Sequence, residues 1–86
     1  MKKEKITEFF DLPREIVYDL PKVTLVGQIQ LLMENHRGVI EYTAEKVRIA
    51  INAGELEITG KDLCIRNISR DDLAIEGDIF ALKYYR

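Results

Sequence analysis

The residues of this sequence that could do chemistry are few, and their spacing suits neither a metal site nor a catalytic set. The chain has a single histidine, His36, and a single cysteine, Cys64. A zinc site needs several His or Cys ligands at short spacings, which these two residues do not supply. The sequence also lacks a glycine-rich phosphate loop before a helix pattern and any recognisable Ser–His–Asp arrangement. We therefore predict a protein that is not an enzyme and that needs no cofactor or metal.

The carboxylates and the thiol also favour structural roles. Asp and Glu together number 15, but none stands at an apolar position of the pattern, where burial would raise its pKa towards a catalytic value. Asp71 and Asp72, beside Arg70, are typical of a solvated loop. Cys64 has apolar neighbours, which indicates an inert packed thiol, and a lone cysteine fits a reducing compartment.

Candidates for binding lie in and near the polar segment "ENHRG". His36 is interpreted either as a turn residue whose ring bonds locally or as the tip of a recognition loop, since loops often carry function. Tyr42, Tyr84 and Tyr85 are interpreted either as the rim of the core, because tyrosine favours half-buried strand faces, or as an exposed aromatic patch. We take five residues as the candidate partner-binding set: Glu34, Asn35, His36, Arg37 and Tyr42.

Length and composition bound the class of protein. A chain of 86 residues is expected to form one domain with a modest core. Its hydrophobic content of 47% argues against disorder, and its formal net charge of −2 argues against a bulk nucleic-acid binder. No apolar run approaches the ~20 residues that span a bilayer, and the basic start "MKKEK" leads into no signal-peptide stretch. We expect a soluble protein that stays in the compartment where it is made.

Residues 1–21 and 22–86 show different patterns. The first part could form a short helix or two, or an extended arm; Pro13 suits a first helical position, and Pro21 ends the pattern. From Lys22 onward apolar and polar residues alternate, which indicates β-strands. We predict an N-terminal helix or arm over residues 1–21 and an all-β domain over residues 22–86.

One phrase occurs three times in the chain. "VTLVGQIQLL", "LEITGKDLCI" and "LAIEGDIFAL" each place a glycine between two apolar stretches. In the first and third the apolar alternation continues through the glycine, whereas one extra residue separates the two stretches of the second. An extra residue in a strand either turns the side chains to the other face or forms a β-bulge. We predict three long strands that each bend at their glycine, as a sheet that folds over itself requires.

The remaining breaks define hairpins and the fold class. "KVRIAINAGELEITG" is typical of a hairpin in which Gly54 takes the left-handed position of the loop, and the last strand extends from Leu73 to about Tyr85. We predict a small all-β fold, an antiparallel sandwich or rolled sheet of about six to seven strands, with a short β-solenoid as the alternative. Five glycines are interpreted as structural: Gly27, Gly38, Gly54, Gly60 and Gly77.

Three segments within about residues 10–85 carry a family resemblance: "LPREIVYDLPKVTLVGQIQLLMENHRGVIEYT", "VRIAINAGELEITGKDLCIRNI" and "LAIEGDIFALKYY". In these segments the sequence resembles the YabP/YqfC family of sporulation proteins, and within it the YqfC branch. The part from "DLP" through "ENHRGVIEY" is specific, because any β-meander can imitate the glycine and apolar pattern alone.

The resemblance implies a non-catalytic protein of endospore-forming bacteria that acts in the mother cell. It implies a cytoplasmic protein-interaction module, which a membrane-associated sporulation partner recruits to a membrane. The alternative belongs to a different class: a β-domain that binds a small ligand or single-stranded nucleic acid. That alternative is motivated by the basic and aromatic end of the chain, Lys83, Tyr84, Tyr85 and Arg86.

The last strand also predicts self-association. "LAIEGDIFALKYY" holds no proline, and after Gly77 it has apolar residues of both parities. Such a strand is either central or covered, because a free edge offers unpaired N–H and C=O groups to other strands. The cover could be "ITEFF" of the same chain or a second copy through a two-fold interface. We predict a homodimer or larger oligomer.

Overall fold

The computed structural model describes residues 19–86, which form six β-strands and no helix. All but three residues of the predicted N-terminal helix or arm, 1–21, lie outside the described residues. The alternation of apolar and polar residues that begins at Lys22 coincides with the start of the first strand. The strands are β1 (Lys22–Val26), β2 (Gln30–Glu34), β3 (Val39–Tyr42), β4 (Lys46–Ile51), β5 (Gly54–Ile68) and β6 (Asp72–Tyr85).

The six strands form one antiparallel sheet in the order β1-β2-β6-β5-β4-β3. β5 and β6 are 15 and 14 residues long and pair with each other along most of their length. Along β6, β2 pairs with the first part alone, and along β5, β4 pairs with the first part alone. Since β5 and β6 are antiparallel, these two attachments lie at opposite ends of the long hairpin, and the sheet divides into two halves.

We name the halves by their short strands. The β1–β2 half consists of β1, β2, residues 72–76 of β6 and residues 64–68 of β5. The β3–β4 half consists of β3, β4, residues 54–59 of β5 and residues 79–85 of β6. The apolar faces of both halves contribute to one core, so the sheet is rolled over itself. The predicted all-β antiparallel fold is confirmed, and the solenoid alternative is wrong because every strand pairing is antiparallel.

Ten hydrophobic side chains form this core, and all of them are less than a tenth exposed. Burial of a side chain of this size contributes about 1.5–3 kcal/mol, so the contact between the two apolar faces is the main source of stability. The corner and the β1–β2 half contribute Leu31, Met33, Leu63, Leu73 and Ile75, and the β3–β4 half contributes Val47, Ile49, Leu56, Ile58 and Ile79.

The two halves meet at a corner in the long hairpin. The pairing register shifts twice between Thr59 and Cys64, and Asp62 has a positive φ of 55°. Gly77 of β6 approaches this point with a φ of 142°, and a Cβ there would lie 2.6 Å from the carbonyl oxygen of Asp62. The extra residue in "LEITGKDLCI" therefore lies in a bulge, and the bends predicted at Gly60 and Gly77 lie at this corner.

The first of the three phrases is not a bent strand, and that prediction is wrong. In "VTLVGQIQLL" the chain reverses at residues 27–29, so β1 and β2 form a hairpin in which Leu25 lies opposite Leu31. Gly27 takes a φ of 53°, a left-handed conformation that suits glycine. Residues of equal parity face each other in this register, so the alternation continues through the turn. Alternation alone therefore does not distinguish a reversal from a bend.

The β4–β5 loop also differs from its prediction. It is a two-residue turn, residues 52–53, and Ala53 rather than Gly54 takes the positive φ, 65°. Gly54 instead begins β5, where a Cβ would collide with the carbonyl oxygen of Tyr85 on β6. The glycine is required by a backbone contact with a strand 31 residues later, which no local turn pattern reveals.

Candidate functional site at the crossover between the sheet halves

A short crossover, residues 35–38, carries the chain from the β1–β2 half to the β3–β4 half. The backbone N–H groups of its first two residues donate to the carbonyl oxygen of Asp71, at 2.6 and 3.1 Å. Near its other end, the N–H of Arg37 donates to the carbonyl of Ala50 on β4 at 2.7 Å, and the carbonyl of Gly38 accepts the N–H of Ala50 at 2.8 Å. The crossover is thus bonded to both halves of the sheet.

The ring of His36 is the one buried polar or charged side chain among residues 19–86, with 5% of its surface exposed. Its Nδ1 accepts the backbone N–H of Gly38 at 2.9 Å. Since Nδ1 is an acceptor, the neutral ring carries its proton on Nε2, which donates to the carbonyl oxygen of Ser69 at 3.0 Å. Both ring nitrogens therefore bond to the backbone, and the ring joins the crossover to the turn that precedes β6.

The neighbours of His36 hold the point where the chain enters β1. The side-chain amide of Asn35 donates to Asp19 Oδ1 at 3.0 Å and to the carbonyl of Leu20 at 3.1 Å. The guanidinium of Arg37 forms an ion pair with the other carboxylate oxygen of Asp19. Asp19 and Asn35 both have positive φ values, 60° and 68°, so the contact joins two backbones in the left-handed conformation.

We call this group the crossover junction. Its outer surface is open to solvent, since the side chains of Arg37 and Asp19 are 48% and 50% exposed. A shallow cleft beside it carries an excess of negative charge, because four of its lining residues are carboxylates and one is a lysine: Asp19, Glu34, Asp71, Asp72 and Lys22. The junction consists of Asp19, Leu20, Asn35, His36, Arg37, Ser69 and Asp71.

The structure brings together four of the five predicted binding residues. Glu34 borders the cleft of the junction, and Asn35, His36 and Arg37 belong to the junction itself. Asn35 and His36 make structural contacts. The ring of His36 bonds locally to Gly38, as one interpretation had it, and also to Ser69, 33 residues away, which that interpretation did not include. A role of the set in partner binding stays a prediction. Sequence reasoning missed the residues that bind them. The available signal for Asp19 was "DLP", the start of the specific part of the resemblance.

The fifth residue, Tyr42, lies apart from the junction. It ends β3, its side chain is 49% exposed, and its hydroxyl accepts the backbone N–H of Ile65 at 3.0 Å. Residues 64–68 of β5 lie beyond the reach of β4, which pairs only with residues 54–59. The Tyr42 hydroxyl therefore satisfies a backbone donor that the sheet leaves unpaired.

A row of charged residues crosses the outer face of the β3–β4 half. Arg48 on β4 binds Glu55 through two parallel bonds of 2.7 and 2.8 Å, and it binds Glu41 at 3.3 Å. The bond from Arg48 holds the pKa of the Glu55 carboxyl below its usual value, and the bonds to Glu55 and Glu41 raise the pKa of the Arg48 guanidinium. These paired charges connect three strands on the solvent side.

The aromatic end of the chain joins the same face. The hydroxyl of Tyr85 donates to Glu57 Oε1 at 3.0 Å, and the ammonium of Lys83 lies 5.0 Å from the centre of the Tyr85 ring. Tyr85 and Lys83 are therefore engaged with each other and with the sheet, and the nucleic-acid alternative stays a prediction.

Within residues 19–86, no group of three or more His, Cys, Asp and Glu side chains is placed to hold a metal ion. Cys64 is half-buried rather than fully packed, and its Sγ lies 3.8 Å from the carbonyl oxygen of Ile65. In the same part of the chain, no helix has the length and hydropathy that crossing a bilayer requires.

The fold and the crossover junction define a small all-β domain, a single rolled sheet whose polar contacts secure the connection between its halves. The chain belongs to the YabP family, whose sequence profile matches residues 19–86, the whole of the described part. It is 32% identical over 82 residues to YqfC of Bacillus subtilis (strain 168), a protein described as uncharacterized, with 95% of this chain and 88% of that protein covered. No solved structure gives a significant match. The resemblance noted in the sequence is confirmed.

Proposed function

We propose that this protein is a non-catalytic protein-interaction module of spore formation that acts in the cytoplasm of the mother cell with a membrane-associated partner. The observation that carries the interaction role is the crossover junction, where the side chains of Arg37 and Asp19 are 48% and 50% exposed beside a cleft lined by four carboxylates and one lysine. The family resemblance supports the sporulation role.

The crossover junction is the surface that we assign to the partner. Glu34 and Arg37 are the contact residues, because both are exposed, whereas the side chains of Asn35 and His36 hold the crossover in place. The negative cleft beside them complements a basic segment. Cytoplasmic segments of membrane proteins carry an excess of Lys and Arg near the bilayer, so a membrane-associated partner would present a suitable charge.

Affinity capture from the native host during sporulation tests this proposal. The wild-type protein is expected to recover a membrane protein. Glu34→Lys is expected to reduce that recovery severalfold because it reverses one negative charge of the cleft, whereas Arg37→Glu, which adds negative charge, is expected not to reduce it. Glu45→Lys is the matched control, because Glu45 is exposed in the loop between β3 and β4, away from the junction. Recovery that is equal for all three variants, or no membrane protein recovered by the wild type, would contradict the assignment.

A further inference from the structure

The second half of β6 has one free edge. Ile79 and residues 81–85 pair with β5 on one side, and Phe80 lies at a register shift between them. On the other side β2 reaches only as far as Glu76, and the β1–β2 turn adds a final bond in which the N–H of Ile79 donates to the carbonyl of Gln28 at 2.8 Å. Among the described residues no strand pairs with residues 80–85 on that side. Unpaired N–H and C=O groups of this kind are a template for another strand.

The side chains along this free edge are apolar and exposed. Phe80 and Tyr84 are 71% and 58% exposed. Tyr84 lies directly opposite Leu56, which is fully buried, so Tyr84 stands on the core-facing side of the sheet although most of its surface contacts water. Leu82, between them, packs against the core. The apolar face of the β3–β4 half therefore extends to the edge, where Leu20 and Pro21 line a cleft beside Tyr84 but leave 58% of Tyr84 exposed.

The charges that protect natural edges do not protect this one. Charged side chains and prolines on an edge strand discourage pairing with another chain. Lys83 is the one charged residue between Phe80 and Tyr85, and its ammonium lies over the Tyr85 ring on the outer face of the sheet. The edge itself is left open to a partner strand.

We infer that a second copy of this chain pairs with this edge in antiparallel orientation, with the two-fold axis at Leu82. Residues directly opposite each other in an antiparallel pair lie on the same face. Leu82 then lies opposite Leu82 of the second copy, and Phe80 lies opposite Tyr84 of the second copy. Phe80 of each chain thus covers Tyr84 of the other, which gives one such contact on each side of the axis. The strands of both chains then form one continuous sheet.

The charges of the edge select this register. With the axis at Leu82, Arg86 of the second copy comes next to Asp78, and both residues are exposed and of opposite charge. With the axis at Lys83, two lysines would lie directly opposite each other, which is destabilising. With the axis at Ala81, Arg86 of the second copy would lie opposite Glu76, where β2 already pairs through Gln30.

Cysteine cross-linking of the full-length chain in a Cys64→Ser background tests the register. Opposite Cα atoms in an antiparallel pair are about 4.5–5.5 Å apart, within the range that a disulfide spans. Leu82→Cys is therefore expected to form a disulfide-linked dimer under mild oxidation. Ala81→Cys and Lys83→Cys are expected to link poorly alone but efficiently when mixed, because these two positions lie opposite each other across the axis. Equal linking of all three variants, or no linking of Leu82→Cys, would overturn the inference.

Sedimentation tests the edge without new thiols. The wild-type chain is expected to sediment as a dimer at micromolar concentration, and the double variant Phe80→Ser with Tyr84→Ser is expected to sediment near 10.0 kDa. Ile68→Ser is the matched control, since Ile68 is 52% exposed at the end of β5, away from this edge. Circular dichroism shows whether each variant keeps the sheet. A wild-type monomer at high micromolar concentration would overturn the inference and point to residues 1–18 or a different protein as the cover.

Discussion

The imidazole of His36 binds the carbonyl oxygen of Ser69, 33 residues later in the chain, with Nε2 at 3.0 Å from the oxygen. This bond joins the crossover between the two sheet halves to the turn before β6. Because the ring is buried, the backbone groups that it satisfies have little access to water. An unsatisfied buried donor or acceptor costs about 1–3 kcal/mol, so a single side chain has a measurable effect on the stability of the whole domain.

We expect His36→Ala to lower the free energy of unfolding by about 2–3 kcal/mol, since it leaves the N–H of Gly38 and the carbonyl of Ser69 without a partner. The free energy of unfolding of His36→Asn is expected to lie between those of wild type and His36→Ala, because the side-chain carbonyl of Asn can still accept the N–H of Gly38. Urea denaturation followed by circular dichroism measures both values. Arg37→Ala, at an exposed neighbouring position, is expected to cost less than about 1 kcal/mol. A His36→Ala protein as stable as wild type would show that the buried bonds are dispensable.

Gly60 at the corner and Gly27 in the β1–β2 turn are expected to respond differently to substitution. Gly60→Val is expected to destabilise by about 1–3 kcal/mol, and the reason is a collision of its Cβ with the carbonyl oxygen of Asp78 rather than a positive φ. Gly27→Asn is expected to be nearly neutral. Gly27 has a φ of 53°, which Asn tolerates, and a Cβ there would meet no atom within 4 Å. Thermal melting of the two variants compares them, and equal melting temperatures would mean that the corner yields readily.

The pair of Arg48 and Glu55 predicts a dependence of stability on pH. The bond from Arg48 lowers the folded-state pKa of Glu55. The ion pair therefore contributes to stability above the unfolded-state pKa of Glu55, near 4.5, and this contribution is lost as pH falls through the folded-state pKa. The stability difference between wild type and Glu55→Gln is therefore expected to favour wild type at neutral pH and to shrink at acidic pH. Denaturation curves over a pH series measure it.

Glu45→Gln serves as the control for this series, because it makes the same chemical change at an exposed loop position. The free energy of unfolding of Glu45→Gln is expected to stay close to that of wild type at neutral pH. A Glu55→Gln difference that is constant from neutral to strongly acidic pH would contradict the assigned role of the ion pair.

Tyr42 predicts a local effect. Tyr42→Phe keeps the ring and removes the hydroxyl that accepts the N–H of Ile65. The loss in stability is expected to be about 0.5–1.5 kcal/mol, and the Ile65 amide is expected to exchange its hydrogen faster than in wild type. Amide exchange followed by nuclear magnetic resonance detects this at one residue. Unchanged exchange at Ile65 would show that another group protects this amide.

Much of the fold could be predicted from local pattern. Strict alternation from Lys22 onward predicted an all-β chain, and the extra residue after Gly60 predicted the bulge at the corner of β5. Both features depend on side-chain parity within one strand, which neighbouring residues determine. The same rule failed at Gly27, because a hairpin of this register preserves parity through its turn.

Residue types in chain order were enough to predict the all-β class, the bend of the long hairpin and the family. The partners of His36 and Asn35 could be found only in the folded chain, because they lie 33 and 16 residues away. The tertiary structure also decided why Gly54 is a glycine, through the carbonyl of Tyr85 on another strand. Hydrogen bonds and close contacts between distant segments depend on how the sheet rolls, and no local periodicity encodes that path.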